Sequence, residues 1–158
     1  MAYIYPAPGV PTKQTVLTIE VEADTGNDAL VIPALQDITV NAANDVFTWT
    51  QLNESAKLQI ATTSTNSISM NLVLDSDVFF GDGTSPSGSA SLKGIFGMSN
   101  SKDKIEFSLY MGDKDDGTDS KTISGVGYIT GLAPTVSADA PVWVSPITIT
   151  VDGEYTVA

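Results

Sequence analysis

Three acidic segments contain the residues best suited to binding a metal ion. The segment Asp113-Lys-Asp-Asp-Gly-Thr-Asp119 spaces its carboxylates much as a calcium-binding loop does. An EF-hand loop needs glycine at its sixth position and glutamate at its twelfth, whereas here Gly117 is fifth and no glutamate closes the loop. An acidic turn between two strands explains this segment better. Asp75-Ser-Asp77 and Gly81-Asp-Gly83 are interpreted in the same way, so we predict no metal site.

Other chemistry is limited by the residue types that the sequence lacks. The 158 residues include no His and no Cys, and the seven basic residues are all lysine. Ser-His-Asp and Cys-His catalysis, Cys/His zinc sites and the bidentate phosphate contact of arginine are therefore excluded. Sequence spacing cannot locate the carboxylate pair of a glycosidase. We predict a protein that is not an enzyme and has no cofactor and no small-molecule substrate.

The glycine-containing segment Gly125-Val-Gly127-Tyr128 is not a phosphate-binding motif. It lies inside a strand pattern, and no helix follows it. Glycines in such a position mark a bulge or a close approach of two backbones.

The charge balance is strongly acidic. The chain has 19 acidic and seven basic residues, a formal net charge of −12, while charged residues make up only 16% of it. Such a composition repels nucleic acid, because binding to phosphates requires lysine and arginine. Two interpretations remain open: the charge keeps an abundant protein soluble, or one surface must not adhere to something anionic.

The beginning of the chain has no pattern of a secretion signal. Residues 1–13 contain three prolines but neither a basic nor an apolar segment, and we predict that they form an extended N-terminal arm. No run approaches the ~18 apolar residues of a membrane-spanning helix. We expect synthesis in a cytoplasm and no contact with a membrane.

Alternation of apolar and polar residues predicts a mainly β protein. The predicted strands before the helical segment are Thr15–Glu22, Val46–Gln51 and a hairpin of Lys57–Thr63 with Ser67–Leu74, turning at Ser64–Asn66; Gly26–Gln36 and Gly81–Ser89 are predicted loops. The later strands are Lys104–Met111, Lys121–Leu132, Val142–Val144, Pro146–Val151 and Tyr155–Val157, with Asp152-Gly153 as a tight turn. Eight or nine strands indicate one all-β domain over residues 1–158, a β-sandwich or partly closed barrel.

One segment has helical spacing instead. Ser89–Ser99 places Leu92, Ile95 and Phe96 on one side, and preceding serines suit the start of a helix. Gly94 and Gly97 each cost roughly 1 kcal/mol relative to alanine, so the predicted helix is short and depends on packing.

Four segments of the C-terminal half form a recognisable series. They are Lys104-Ile-Glu-Phe-Ser-Leu-Tyr110, Gly125-Val-Gly-Tyr-Ile-Thr-Gly-Leu132, Ala140-Pro-Val-Trp-Val144 and Ile147-Thr-Ile-Thr-Val-Asp-Gly153. This series resembles the tail tube proteins of long-tailed bacteriophages, in which a glycine-rich strand leads through a proline-containing loop to a final strand. The likeness covers Lys57–Ala158 best.

The resemblance implies a structural virion protein. Such subunits join their sheets into rings, usually of six copies, and the rings stack into a tube with an acidic lumen that conducts DNA into the host. Its partners would be copies of itself and other tail proteins at the tube ends. The N-terminal arm and Glu22–Asp37 would be candidates for ring-to-ring contacts. Leu92, Ile95 and Phe96 would pack the helix on the outer side of the sheet or at a subunit boundary; ordinary core packing explains them equally well.

Two other classes also fit an all-β, polar sequence. A receptor- or carbohydrate-binding β-sandwich would behave as a monomer or small oligomer and expose clustered aromatic residues. A capsid decoration protein or a fibre subunit would assemble without a DNA-conducting bore.

Overall fold

The computed structural model describes residues 15–24, 29–32, 35–111, 121–139 and 142–158. Their strands are β1 Thr15–Val21, β2 Leu30–Ile32, β3 Leu35–Thr50, β4 Lys57–Val73, β5 Ile105–Met111, β6 Lys121–Leu132, β7 Val144–Val151 and β8 Thr156–Val157. The helices are α1 Ser76–Phe80 and α2 Ala90–Ser101, and Glu22–Asp24 form a short 3₁₀ turn. The predicted N-terminal arm and the segment Asp113–Asp119 lie outside the described residues.

The eight described strands form one open, antiparallel sheet. Its order is β2-β1-β5-β6-β7-β4-β3, and β8 pairs with β6 beyond the end of β7. The mainly β fold class is therefore confirmed, and the sheet has β2 at one edge and β3 at the other. The single-domain prediction stays a prediction.

The core lies between one face of this sheet and the two helices. Alternate residues of each central strand point into it, because successive side chains of a strand face opposite sides. The buried residues are Leu17, Ile19, Val21, Leu30, Ile32, Ile68, Met70, Leu72, Phe79, Ala90, Ile95, Met98, Ile105, Phe107, Leu109, Ile129, Ile147, Ile149 and Val151.

The predicted turn at Ser64–Asn66 is wrong. These residues continue β4, which runs unbroken for 17 residues and pairs with β3 along its length. The true turn is at 51–56, where the amide of Glu54 donates to the carbonyl of Gln51 at 3.2 Å. Serine, threonine and asparagine suit both turns and solvent-exposed strands, so local sequence alone could not decide between them.

Three further segments differ from the prediction. The loop Gly26–Gln36 contains β2 and the start of β3. Strand β7 contains the predicted strand Pro146–Val151 and begins at Val144, so Val142 and Trp143 of the other predicted strand lie outside it. Pro146 is tolerated in β7 because pairing with β6 stops at Ile147. Asp152-Gly153 does not reverse the chain, since β8 continues in the direction of β7 to pair with β6.

The helical part of the chain contains two helices where one was predicted, and the second helix is interrupted. Helix α1 was not predicted; Asp75 caps it by accepting hydrogen bonds from the amides of Asp77 and Val78. Helix α2 covers Ala90–Ser101 instead of the predicted Ser89–Ser99, and Ser89 caps it. The helix is interrupted at Gly94, whose φ of 66° and ψ of 177° are not helical. The core packing of α2 is thus maintained across a kink.

The close-approach interpretation of Gly127 is confirmed. A Cβ atom at this position would lie 2.2 Å from the carbonyl oxygen of Thr150 on the neighbouring strand. Only glycine therefore allows β6 and β7 to pair at this distance.

Candidate assembly surfaces

A long two-stranded hairpin projects from the sheet. Strand β7 pairs with β4 only from Asn66 onward, so residues 43–65 pair only with each other among the described residues. We call this segment the projecting hairpin. Its side chains are exposed, except those of Trp49 and Leu58, which are half-buried. Among the described residues this part of the two strands has no third strand beside it, and a two-stranded hairpin without further packing is only marginally stable in water.

One face of the projecting hairpin is apolar. Phe47 is opposite Ile60 and Trp49 is opposite Leu58, so the register places all four on the same side. The rings of Phe47 and Trp49 stack with their centroids 5.9 Å apart, yet Phe47 is 59% exposed and Ile60 55%. Leu52 in the turn is fully exposed. A continuous exposed apolar surface of this kind is typical of a protein–protein contact.

The base of the projecting hairpin is held by two polar side chains from the C-terminal segment and from β4. The hydroxyl of Tyr155 lies 2.7 Å from the carbonyl oxygen of Asn41 and 2.8 Å from that of Ser67, on the two strands that continue into the hairpin. Asn66 donates to the carbonyl of Gly153 at 2.8 Å. Burial raises the pKa of Tyr155. These contacts fix the direction in which the hairpin leaves the sheet.

A second apolar surface is a groove of about 350 Å³ at the other end of β4. It is lined by Leu74, Ser76, Phe80, Val142 and Trp143. The amide of Leu74 donates to the carbonyl of Trp143 at 2.8 Å and so joins the end of β4 to the start of β7. The side chains of Phe80 and Trp143 are each 48% exposed, and Val142 is 44% exposed. We call this surface the apolar groove.

The three helix residues singled out from the sequence do not act as one surface. Ile95 is buried in the core, Leu92 is half-buried and Phe96 is 44% exposed. The ring of Phe96 lies 5.9 Å from that of Phe80, so it extends the exposed aromatic surface beside the apolar groove. Whether Leu92 or Phe96 lies at a subunit boundary stays a prediction.

The sheet face opposite the core is polar. Hydroxyl and amide side chains dominate it: Thr18, Thr39, Asn41, Ser67, Ser69, Asn71, Ser108, Ser124, Thr130, Thr148 and Thr150. Thr130 and Thr150 join their hydroxyls at 2.8 Å, and Asn71 donates to Asp37 at 3.0 Å. A face of this composition is suited to contact with water rather than to packing.

The charges of this polar face are mostly negative. Glu20 on β1 lies directly opposite Glu106 on β5. At the same end of the sheet, the ammonium group of Lys104 lies 3.0 Å from Asp152 and 3.6 Å from Glu22. The hydrogen bond that Lys104 donates to Asp152 raises the pKa of Lys104, and the Coulombic field of Glu22 adds to this. Lys104 thus offsets part of a local carboxylate excess.

The acidic segments considered as metal sites have structural roles where they are described. Asp75 caps α1, and Asp82 accepts hydrogen bonds from the amides of Thr84 and Ser85 and from the Ser85 hydroxyl. The hydrogen bonds from Ser85 lower the pKa of Asp82, and the bond from its hydroxyl has a larger effect than the bond from its amide. Within the described ranges, no group of three or more metal-ligating side chains occurs. None of the described helices is long and apolar enough to span a membrane.

Sequence reasoning missed both the projecting hairpin and the apolar groove. The alternation of Phe47 and Trp49 gave the local faces of the strand correctly. The signal for a projecting element was a run of residues without any buried face, which is atypical of a strand within a packed sheet.

No model of a protein family and no curated protein sequence matches the chain. Solved structures do. A chain in the tail of an empty gene transfer agent particle, refined with C6 symmetry, aligns with TM-score 0.62 and 13% identity over 90% of this chain and 95% of that one. A chain of the six-fold symmetrised anti-feeding prophage baseplate aligns with TM-score 0.66 and 10% identity over 99% of this chain and 97% of that one. The SPP1 tail tube structure aligns with TM-score 0.64 and 14% identity over 92% of this chain and 78% of that one. The resemblance to tail tube proteins is therefore confirmed at the level of the fold.

Proposed function

We propose that this protein is a non-enzymatic structural subunit whose copies form stacked rings, six to a ring, as the tube of a phage tail. The observation that carries the proposal is an open sheet with a buried face, a polar face and a projecting hairpin. Of these features, the projecting hairpin and the open sheet edges have no further strand partner among the described residues, and other copies would supply one. Similarity of fold to structures of tails and tail tubes supports the same assignment.

Ring closure would use the two edges of the sheet. Among the described strands β3 pairs only with β4, and β2 pairs only with β1. Within the described ranges, their outer edges therefore present backbone donors and acceptors along the sheet. Joining the β3 edge of one copy to the β2–β1 edge of the next would satisfy these groups and remove an aggregation hazard.

The polar face would then line the bore. Outside the projecting hairpin, its described strand positions include the carboxylates of Glu20, Asp37 and Glu106 and no lysine. Copies in a ring would repeat these charges around the lumen. DNA phosphates would be repelled by them and would slide rather than bind during ejection. Salt would screen the repulsion over roughly 10 Å at ~0.1 M.

The location follows from this role. The protein would be made in the cytoplasm of the host and built into the virion tail. Its partners would be further copies of itself and the tail proteins at each end of the tube, while DNA passes without specific binding.

Negative-stain electron microscopy of the purified protein at moderate salt tests the proposal. We expect rings or hollow tubes of uniform diameter, with length increasing with protein concentration. An averaged cross-section should place the polar face inward, with a bore more negative than the outer wall. Particles of one small size at all concentrations, also after addition of preformed tail tips, would contradict the proposal and favour a binding module.

A further inference from the structure

The apolar face of the projecting hairpin and the apolar groove lie at opposite ends of one strand. The hairpin contains the beginning of β4 at Lys57, and the groove begins at Leu74, directly after β4 ends at Val73. Seventeen residues of strand span up to about 55 Å at ~3.3 Å each. The tip of the hairpin therefore cannot reach the groove of its own chain.

We infer that the apolar groove of one copy is the binding site for the projecting hairpin of a second copy. This inference rests on the proposed function and names the surface that would join one ring to the next. A contact between two different surfaces of identical chains is heterologous: it gives a closed ring if the rotation between copies closes, and otherwise it continues from copy to copy. Because the projecting hairpin and the apolar groove lie at opposite ends of β4, repeated contacts between them would add copies along the direction of this strand.

The chemistry of the two surfaces matches. The groove is lined by aromatic and aliphatic side chains, with Ser76 as its one polar member among the described residues. The hairpin offers the uncharged face of Phe47, Trp49, Leu58 and Ile60. Large aromatic side chains entering a partly preformed pocket dominate the binding energy of many interfaces.

Charges at the rim agree with this pairing. Asp75 and Asp77 flank Ser76 of the groove, and Lys57 stands beside Leu58 near the tip of the hairpin. Glu54 lies in the same tip, so the ionic contribution is small. The rim charges would orient the hairpin, while apolar contact would supply most of the affinity.

A cysteine pair tests this arrangement directly, because the chain contains no cysteine of its own. The double variant carries Leu52→Cys in the hairpin turn and Val142→Cys in the groove. Both side chains are exposed, and neither replacement removes a core contact or the apolar face of the hairpin. A matched control joins Leu52→Cys to Val157→Cys, since Val157 is 62% exposed on β8, outside both the groove and the β2 and β3 edges. Circular dichroism checks that each variant is folded.

After mild oxidation of assembled protein, the Leu52/Val142 variant should give a ladder of dimers, trimers and longer disulfide-linked chains on non-reducing gels. Each single variant should give dimers at most, and the Leu52/Val157 control should lose the ladder. Tubes that form without this ladder would overturn the inference and leave the proposed function standing. Absence of both tubes and ladder would overturn both, and a ladder without hollow assemblies would support the hairpin contact while contradicting the tube.

Discussion

The hydroxyl oxygen of Tyr155 lies 2.7 Å from the backbone carbonyl oxygen of Asn41, 114 residues earlier in the chain. The same hydroxyl is 2.8 Å from the carbonyl of Ser67, and its single proton can be donated to either oxygen. The ring meets that of Phe107 edge to face at 6.4 Å. Tyr155 thus connects the core to the two strands that carry the projecting hairpin.

Removing this hydroxyl should destabilise the monomer. For Tyr155→Phe we expect a loss of about 1 kcal/mol in the free energy of unfolding, since the ring packing is kept and one hydrogen bond is lost. Urea unfolding of dilute, unassembled protein measures it. Tyr128→Phe is the matched control, because Tyr128 is 41% exposed on the polar face and should change stability by less than about 0.5 kcal/mol. Equal losses in both variants would contradict the role assigned to Tyr155.

The same residue predicts a dependence of stability on alkaline pH. Burial raises the pKa of Tyr155 in the folded state, so folding favours the protonated phenol. Its contribution is fully present below the unfolded-state pKa of about 10 and is lost as the pH rises through the higher folded-state value. The stability difference between the wild type and Tyr155→Phe should therefore shrink between pH ~9 and ~11. A difference that stays constant over this range would show that Tyr155 titrates normally.

The sequence predicted the strands that have one buried face. In β1, Leu17 and Ile19 alternate with polar residues, and β6 was predicted with its observed bounds, Lys121–Leu132. Prediction failed where no face is buried, as at Ser64–Asn66, and where an element is too short for a period to show, as in α1. Pairing partners decide these cases, and they are distant in sequence.

The candidate surfaces were harder to predict than the strands. The groove exists because Leu74 and Trp143 meet at the ends of two paired strands, a contact between residues 69 positions apart that local patterns cannot indicate. The acidic excess could be counted from composition, but its placement on β1 and β5 depends on register. Gly127 was more informative than the acidic residues, since a glycine within a strand pattern correctly indicated the close approach of β6 and β7.

Gly94 should not tolerate a side chain. Its φ is 66°, and a Cβ atom would lie 2.3 Å from the amide nitrogen of Gly81 and 2.7 Å from the carbonyl oxygen of Phe79. Gly94→Ala should therefore cost more than about 3 kcal/mol, through both backbone strain and displacement of α1. Gly83→Ala is the matched control: its φ is 69°, but no atom lies within 4 Å of the added carbon. We expect about 1–2 kcal/mol for the control; equal thermal shifts would contradict close packing of the helices.

The cross-strand pair of Glu20 and Glu106 should oppose folding at low salt. Like charges directly opposite each other in a sheet are unfavourable by roughly 0.2–1 kcal/mol. Glu106→Gln should therefore stabilise the monomer by that amount, and the gain should shrink as salt screens the wild-type repulsion. Chemical unfolding at ~0.02 and ~0.5 M salt measures the change. Ser108→Asn, on the same face of β5, controls for a larger neutral side chain, and a gain independent of salt would reject the electrostatic cause.

The apolar face of the projecting hairpin should be required for assembly and nearly dispensable for folding. Phe47→Ser removes a side chain that is 59% exposed and opposite Ile60, so monomer stability should fall by less than about 1 kcal/mol. Tube formation should instead be lost, because the residue would be buried only between copies. Val46→Ser is the matched control, since Val46 is 52% exposed on the other face of the same strand. Sedimentation of the three proteins at equal concentration, with electron microscopy of the pellets, measures the effect. If Val46→Ser and Phe47→Ser assemble equally well, the face bearing Phe47, Trp49, Leu58 and Ile60 is not the contact surface, and the opposite face must be tested in its place.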